Sequence, residues 1–564
     1  MEATIPDRAK GTADEHRWPS PRASFGLVLW AAALRLPTLP LRRLVEGDGV
    51  HYAQLARSIL AGDFSGLANP YWSNLWPALI AATSLVTGLD VVAAGRLAAL
   101  FSGVLLVLAV ATLATRLFGP TAGVVAGMLG AAHPWLIHFS TLVFTESFFA
   151  LLVVSVLLVA PRAGRSTRAA AGGGLLAGLA VVTRPEAHAV VAAVLGGLAL
   201  AEGVTRARLA RLGLFASLVL LFVFGRAALV HRYHGYWDFG VGTKGTANLI
   251  VGLARDDRDM ERISTEVDPN GHNLLAQRAG EATVLGFALA HPAVLIRHVG
   301  RNMAGLFASA LRVFPFVPLV GGRPPLWSGE WPALLAVGAV MVSALASLGL
   351  VWACRAPTSR HTALLLLTTG VLYVLGLSPL LVHDRLVVSL VPLFLVFLAY
   401  GLVRSASILG SDLPARRILV GALAVLGVLS VIRLHQARAL DYARDPPVQR
   451  ETGEWLAAHY TQDVRLMTAA VSVGFYFYDA GHAGNELRLP WGDPQRVLAL
   501  AREQGVTLLV LPDWHLRVVQ HPAALLLDPA SAPPALRHVV TLGEPARGSV
   551  IVYEIVAAGA HGSS

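Results

Sequence analysis

Charge is what this chain has least of. Of its 564 residues, 14% are charged and 55% hydrophobic, whereas about a quarter of the residues of an ordinary soluble protein carry charge. Apolar runs near bilayer-crossing length recur along most of the sequence, which excludes a soluble enzyme with a single anchor. Cysteine is scarcer still: Cys354 stands alone, which excludes an internal disulfide and a multi-cysteine metal site. The polar opening, residues 1–22, lacks the pattern of a cleavable signal peptide. No internal repeat with a clean period is present, and no low-complexity tract beyond the Ala/Gly/Leu bias of the apolar runs. The net charge of +10 comes mostly from Arg, and these arginines fall between apolar runs. There they read as topology signals, not as a nucleic-acid surface.

What is there is a series of candidate spans. Residues 24–41 form the first. The basic tail before it (Arg8, Lys10, Arg17, Arg22) places residues 1–23 in the cytoplasm and the first loop, residues 42–75, outside. Residues 76–90 are apolar but short, with Pro77 near their start, and read as an interfacial or re-entrant helix. Spans follow over 97–117, 120–138, 142–160, 170–183, 187–202 and 212–230, with Arg162, Arg165, Arg168, Arg206, Arg208 and Arg211 on the inner side. Residues 231–283 are too polar for lipid. Residues 284–318 read as an amphipathic segment along the membrane surface, so a second external region covers 231–331. Spans over 332–352, 361–381, 386–403 and 417–434 bring the total to roughly eleven. The expected fold is mainly α: a polytopic bundle over 24–434 in the cell membrane, with a small α/β domain at 435–564 on the extracytoplasmic face. In that domain apolar runs shrink to strand length (464–470, 506–511, 550–555) around a helical pattern at 494–504.

The most informative motif is Glu46-Gly47-Asp48-Gly49-Val50-His51-Tyr52, just beyond the first span. A carboxylate beside the hydrocarbon is rare and costly, so one kept on a Gly-flanked loop at the membrane edge points to chemistry. Further along stand His133-Pro134 with Ser140, Thr145 and Glu146, then a Gly-rich helix ending in Thr183-Arg184-Pro185-Glu186, then Arg385 with Pro392. In this order the stretches resemble the GT-C superfamily of polyprenyl-phosphate-sugar glycosyltransferases, the group of the protein O-mannosyltransferases and bacterial aminoarabinose transferases. The likeness covers residues 24–230 well and 361–403 loosely; residues 435–564 carry no matching motif. It implies a sugar transfer from a polyprenyl-phosphate donor to a glycan, lipid or protein acceptor at the outer face. Two departures stand out. Gly49 replaces a second acidic residue, and the entry to the helix after the first loop reads Ser73-Asn74-Leu75-Trp76-Pro77, without the lysine that could hold a lipid phosphate there.

Such a reaction needs a base for the acceptor hydroxyl and positive charge for the departing phosphate. Asp48 is the candidate base, and burial at the membrane edge is expected to raise its pKa. Its bland alternative is a helix-capping Asp. Glu146 can orient the acceptor, assist Asp48, or simply stabilise a helix start through the macrodipole. Arg184 and Arg385 suit bidentate phosphate contact, with His383, Arg42 and Arg43 behind them; snorkelling is the alternative for the arginines. Tyr52, Trp72 and Trp76 can stack on sugar faces or belong to the aromatic belt. A divalent metal ion held by Asp48 with Glu46 or Glu146 stays open, since two carboxylates do not define a site. His133 and His138 share no clear metal-binding face. A transporter or flippase of lipid-linked sugars is the competing class, but it would favour inverted repeats and paired broken helices, and neither is evident.

Overall fold

The computed structural model describes residues 18–41, 44–45, 47–200, 205–239, 243–254, 256–268, 273–281, 284–314, 332–408, 426–432, 447–479, 481–544 and 548–556. Arg42, Arg43 and Glu46 lie outside them, as does most of the expected span at 417–434.

Helices account for the first three quarters of the chain. In order these are α1 (Pro21–Arg35), α2 (Asp48–Leu60), α3 (Leu75–Thr87), α4 (Val91–Phe118), α5 (Pro120–Ala132) and α6 (Pro134–Phe139). Next come α7 (Glu146–Ala163), α8 (Thr167–Thr183), α9 (Ala187–Leu200) and α10 (Arg206–His234). The second loop region holds α11 (Thr243–Gly252), α12 (Asp257–Thr265), α13 (Leu274–Glu281), α14 (Val284–Ala290) and α15 (Pro292–Val313). The bundle closes with α16 (Pro332–Arg355), α17 (Arg360–Leu377), α18 (Asp384–Val387), α19 (Val391–Ile408) and α20 (residues 426–432). Among the described residues seven helical stretches are long and apolar enough to cross a membrane, and α3, α5, α8 and α9 are shorter apolar helices.

Small residues let these helices approach, as expected where lipid offers no hydrophobic drive to pair. A Cβ at Gly349 of α16 would collide with the Phe397 carbonyl of α19, and one at Gly401 of α19 with the Leu345 carbonyl of α16. Gly178 of α8 likewise leaves room for Phe222 of α10.

The span expected over 120–138 is broken. Pro134 has no N–H for the Gly130 carbonyl, so α5 stops at Ala132 and α6 begins after His133. Arg35, fully buried, repairs the break. Its guanidinium donates to the carbonyls of Ala131 (3.1 Å), Gly130 (3.5 Å) and its own helix at Ala31 (3.1 Å). Backbone acceptors away from water need such partners.

Residues 447–556 fold around a five-stranded sheet: β1 (Leu466–Thr468), β2 (Glu486–Arg488), β3 (Leu508–Pro512), β4 (Leu536–Glu544) and β5 (Gly548–Ile555), in the order β2-β1-β3-β5-β4. β1 runs parallel to β2 and β3, while β5 is antiparallel to β3 and β4. The helices α21 (Val448–His459), α22 (Val471–Phe477), α23 (Pro494–Glu503) and α24 (Asp513–Val518) accompany it. Central β3 is buried along its whole length, which is why its sequence, Leu-Leu-Val-Leu-Pro, shows no polar alternation.

Two contacts tie this sheet domain to the bundle. At α22, the Tyr476 hydroxyl accepts from the Val45 backbone N–H (3.2 Å) and the Ser472 hydroxyl donates to the Val45 carbonyl (3.1 Å). Arg57 of α2 donates to the Phe475 carbonyl (3.0 Å), and its guanidinium lies 3.8 Å from the Phe475 ring centroid. At α12, Glu261 meets Arg488 (3.2 Å) and His515 (3.5 Å), and Arg496 donates to the Val267 carbonyl (2.9 Å).

Candidate functional site

Asp48 opens α2. Gly47 precedes it at φ +46°, a left-handed conformation that glycine adopts without a Cβ penalty and that turns the chain sharply into the helix. Asp48 thereby sits in the first turn, where the helix dipole favours an anion. Glu146 occupies the same position at the start of α7. Neither residue caps its helix, since Gly47 and Thr145 hold the N-cap positions; each lies one residue inside, where the helix start aims the carboxylate.

Each carboxylate faces an arginine from a distant part of the chain. Arg385 of α18 lies 2.8 Å from Asp48. Arg184, at the C-terminus of α8, lies 2.8 Å from Glu146 and 3.0 Å from Glu186. Its Nη1 also donates to the Thr145 hydroxyl (3.2 Å) and its Nε to Glu186 (3.4 Å). Arg184, expected from sequence at the phosphate, is paired with two carboxylates in this structure. Arg385 differs, because its buried Nε–H has no hydrogen-bond partner.

Lys244, on α11, completes the cluster. Its ammonium lies 5.5 Å from the ring centroids of both Tyr71 and Trp72. It interacts electrostatically with Asp48, Glu186, Arg184 and Arg385. Among the described residues no carboxylate approaches it within salt-bridge distance. Burial first, then Arg184, lowers its pKa below the usual lysine value, while Asp48 and Glu186 pull the other way. Trp72 lies flat on His51 (4.5 Å between centroids) and edge-on to Tyr52 (5.7 Å) and Tyr71 (4.9 Å). A lysine is thus contributed to the cluster by α11 and not by the entry to α3.

Burial alone would raise the Asp48 carboxyl, as expected from sequence. Arg385, Lys244 and His51 outweigh it and hold the carboxyl below its ordinary value. The expectation had the right first cause and the wrong sum, because it did not know the cations. Burial likewise pushes Glu186 up, and Arg184 brings it back below its ordinary value. Tyr52 is pushed well up, first by burial and then by Asp48, so its hydroxyl stays protonated.

Known proteins resemble this chain in part of its sequence and in its fold. Residues 75–229 match the family described as dolichyl-phosphate-mannose-protein mannosyltransferase. The archaeal oligosaccharyltransferase AglB from Archaeoglobus fulgidus, solved with an inhibitory peptide and a dolichol-phosphate, superposes with a TM-score of 0.50 at 14% identity, covering 88% of this chain and 69% of that one. The fold is that of the GT-C glycosyltransferases. ArnT from Cupriavidus metallidurans bound to undecaprenyl phosphate gives a TM-score of 0.42 at 14% identity over 94% of this chain and 97% of that one. The arabinofuranosyltransferase AftD from mycobacteria gives 0.41 at 15% identity over 95% and 40%. No curated protein matches the chain by sequence.

Within this GT-C bundle the remaining candidates separate. His383 sits beside the cluster as the N-cap of α18, its Nδ1 accepting the Arg385 backbone N–H (3.2 Å). Trp76 does not reach the site surface. It is fully buried, packed against Phe148 (5.6 Å between centroids) in the core under α2 and α3, so it has no face for a sugar. Its helix position points inward, whereas Trp72, four residues earlier on the loop, lies beside Lys244. Among the described residues no group of three His, Cys, Asp or Glu is placed to hold a metal ion. Asp48 and Glu146 each carry a guanidinium instead, so the residues described do not fit a shared cation.

Lys244, Glu186 and Tyr373 were missed from sequence. Tyr373 is fully enclosed and donates to the Leu386 carbonyl (3.0 Å), bracing the segment that carries Arg385. For Lys244 a signal existed: the chain has two lysines, and the other is Lys10 in the N-terminal tail.

Proposed function

We propose that the chain is a membrane glycosyltransferase. It moves a sugar from a polyprenyl-phosphate donor to an acceptor hydroxyl, at the extracytoplasmic face of the cell membrane. The observation that carries this reading is the meeting of Asp48, Arg385 and Lys244 with the Tyr71–Trp72 rings at one end of a GT-C bundle.

In this reading Asp48 takes the proton of the acceptor hydroxyl as its oxygen bonds the anomeric carbon. The bond from that carbon to the donor phosphate breaks, and its electron pair leaves on the phosphate. Lys244 and the unpartnered Nε–H of Arg385 face the charge that develops there. Cations so placed stabilise the transition state more than the ground state. Arg184 keeps Glu146 and Glu186 neutralised and thereby fixes the turn between α8 and α9. Trp72 offers its ring to the sugar or the acceptor. A depressed Asp48 pKa means the base is ionised at every physiological pH; its strength comes from position rather than from proton affinity.

Charge supports the facing proposed for the site. Arg211 donates to the Gly164 carbonyl (2.9 Å), gathering the basic turn after α7 and the start of α10 at the end opposite Thr183 and Arg184. A basic end is expected in the cytoplasm, and this supports the reading in which Asp48 and the sheet domain lie outside.

The test uses purified protein in nanodiscs with radiolabelled polyprenyl-phosphate sugars. The label should leave the lipid, and Asp48→Asn should slow its loss on the order of a hundredfold to ten-thousandfold. Retention of the label on every donor by the wild type, or wild-type rates in Asp48→Asn, overturns the proposal.

A further inference from the structure

A second cleft, of about 520 Å³, lies away from the Asp48 cluster, where the second external region meets the sheet domain. Asp256, Arg258, Asp259 and Arg262 line it from α12 and its N-cap, and Trp491 lines it from the loop after β2. Its size falls within the range of small-molecule and cofactor sites. The two walls are held in register. Trp491 donates its backbone N–H to the Thr265 carbonyl (3.3 Å), and Arg258 reaches Gln520 (3.4 Å). The Trp491 ring is set by an edge contact with His521 (4.8 Å between centroids).

The chemistry of the lining selects its ligand. Two carboxylates and two guanidiniums balance, so the cleft attracts neither a polyanion nor a cationic peptide. Asp259 and Arg262 pair at 2.8 Å, leaving fixed acceptors and planar donors along one wall. Opposite them stands a half-buried indole. An aromatic face with charged, hydrogen-bonding groups around it suits a neutral, hydroxyl-rich ligand, which offers C–H faces to the ring and hydroxyls to the rest.

Position adds a reason. Lys244 and Asp256 are joined by the rest of α11 and four further residues, so they lie within roughly 26 Å of each other. An extended acceptor several sugar units long can lie in the cleft and present its end at Asp48. We propose that this cleft is a subsite for a neutral glycan, the acceptor on which the transferase works. The inference rests on the transferase reading for its purpose, though not for its binding chemistry.

The experiment is saturation-transfer NMR and microscale thermophoresis on full-length protein in nanodiscs without donor. The probes are neutral oligosaccharides of hexoses and pentoses, uronic-acid oligosaccharides of equal length, and an unglycosylated peptide pool. Neutral oligosaccharides should bind, and Trp491→Ala should weaken them on the order of tenfold or more. Because Trp491→Ala can disturb the domain, Arg258→Ala/Arg262→Ala, both exposed, provides the second variant and should weaken binding likewise. Binding should persist in Asp48→Asn. No binding of any neutral oligosaccharide, preference for the uronic-acid or peptide probes, or binding indifferent to both variants overturns the inference. If the wild type turns over donor yet binds no glycan here, the cleft assignment falls and the transferase reading stands. If glycan binds with cleft dependence but no donor is consumed, the glycan site stands and the transferase reading falls.

Discussion

Replacing Arg184 by Ala should destabilise the protein before it says anything about substrate. The side chains of Arg184, Glu146 and Glu186 are 11%, 3% and 12% exposed. Removing the guanidinium leaves two nearly buried carboxylates without the cation in direct contact with both. Breaking a buried pair in this way costs about 3–5 kcal/mol, mostly the penalty of the stranded charge. The second carboxylate places Arg184→Ala at the upper end of that range. Glu146→Gln removes one of the charges, so it should harm the wild type yet relieve Arg184→Ala. The coupling between the two sites should reach about 2 kcal/mol, within the range for directly bonded groups. The assay is equilibrium unfolding of the four proteins of the cycle in one detergent, followed by circular dichroism. If Arg184→Ala unfolds within about 0.5 kcal/mol of the wild type, or the two changes add within that margin, Arg184 is not the neutralising group described above. A donor-phosphate role would then be open to it again.

Other consequences are simpler to state. The Lys244 cation is present at low pH and lost as pH rises through its lowered pKa, so kcat/KM should fall on an alkaline limb below the ordinary lysine value of 10.5. Lys244→Arg should move that limb upward, and Lys244→Met should weaken donor binding on the order of ten- to a hundredfold; a pH–rate profile and a donor titration check both. The Asp48 base form is lost only as pH falls below its lowered pKa, so no acid limb from it should be seen between pH 3.8 and neutrality. Trp76→Ala should cost about 3–5 kcal/mol of stability as a core truncation while leaving turnover per folded molecule near normal, measured by unfolding beside active-fraction assays. Burial raises Glu261, but His515 and Arg488 bring it down to about 2 from 4.5. Its contribution to docking α12 on the sheet domain, about 3 kcal/mol, is fully present above pH 4.5 and lost as pH falls toward 2. Amide protection factors across α12, each referred to the intrinsic exchange rate at its own pH, should therefore fall at pH 3 relative to pH 6, and Glu261→Gln should abolish that difference.

The helical bundle was legible because lipid leaves the backbone few choices: apolar length and arginine placement report the spans almost directly. The strands β1, β3 and β5 were legible for the same kind of reason, as short apolar runs between turns. What could not be read was which residues meet. Asp48 and Arg385 stand at opposite ends of the membrane region in sequence, and their pairing is a property of the packed bundle. The lowered Asp48 pKa followed from that pairing and so was hidden with it. Trp76 looked like an interfacial aromatic because composition does not say which face of a short helix points inward. The break at Pro134 was visible as a proline, but its repair by Arg35 needed the neighbouring helix in place.

The contact between α22 and α2 sets a clock on the protein's own synthesis. Arg57 and the Phe475 carbonyl it grips are 418 residues apart in the chain. A ribosome adding about 5–20 residues per second needs on the order of a minute to travel that distance. Through that interval the helices of the bundle can be made and packed, but α2, which Asp48 begins, lacks this clamp. The start of α2 therefore reaches its final setting only once α22 has been made and has folded against it. A chain cut short before α22 leaves Arg57 without the Phe475 carbonyl and ring that it grips.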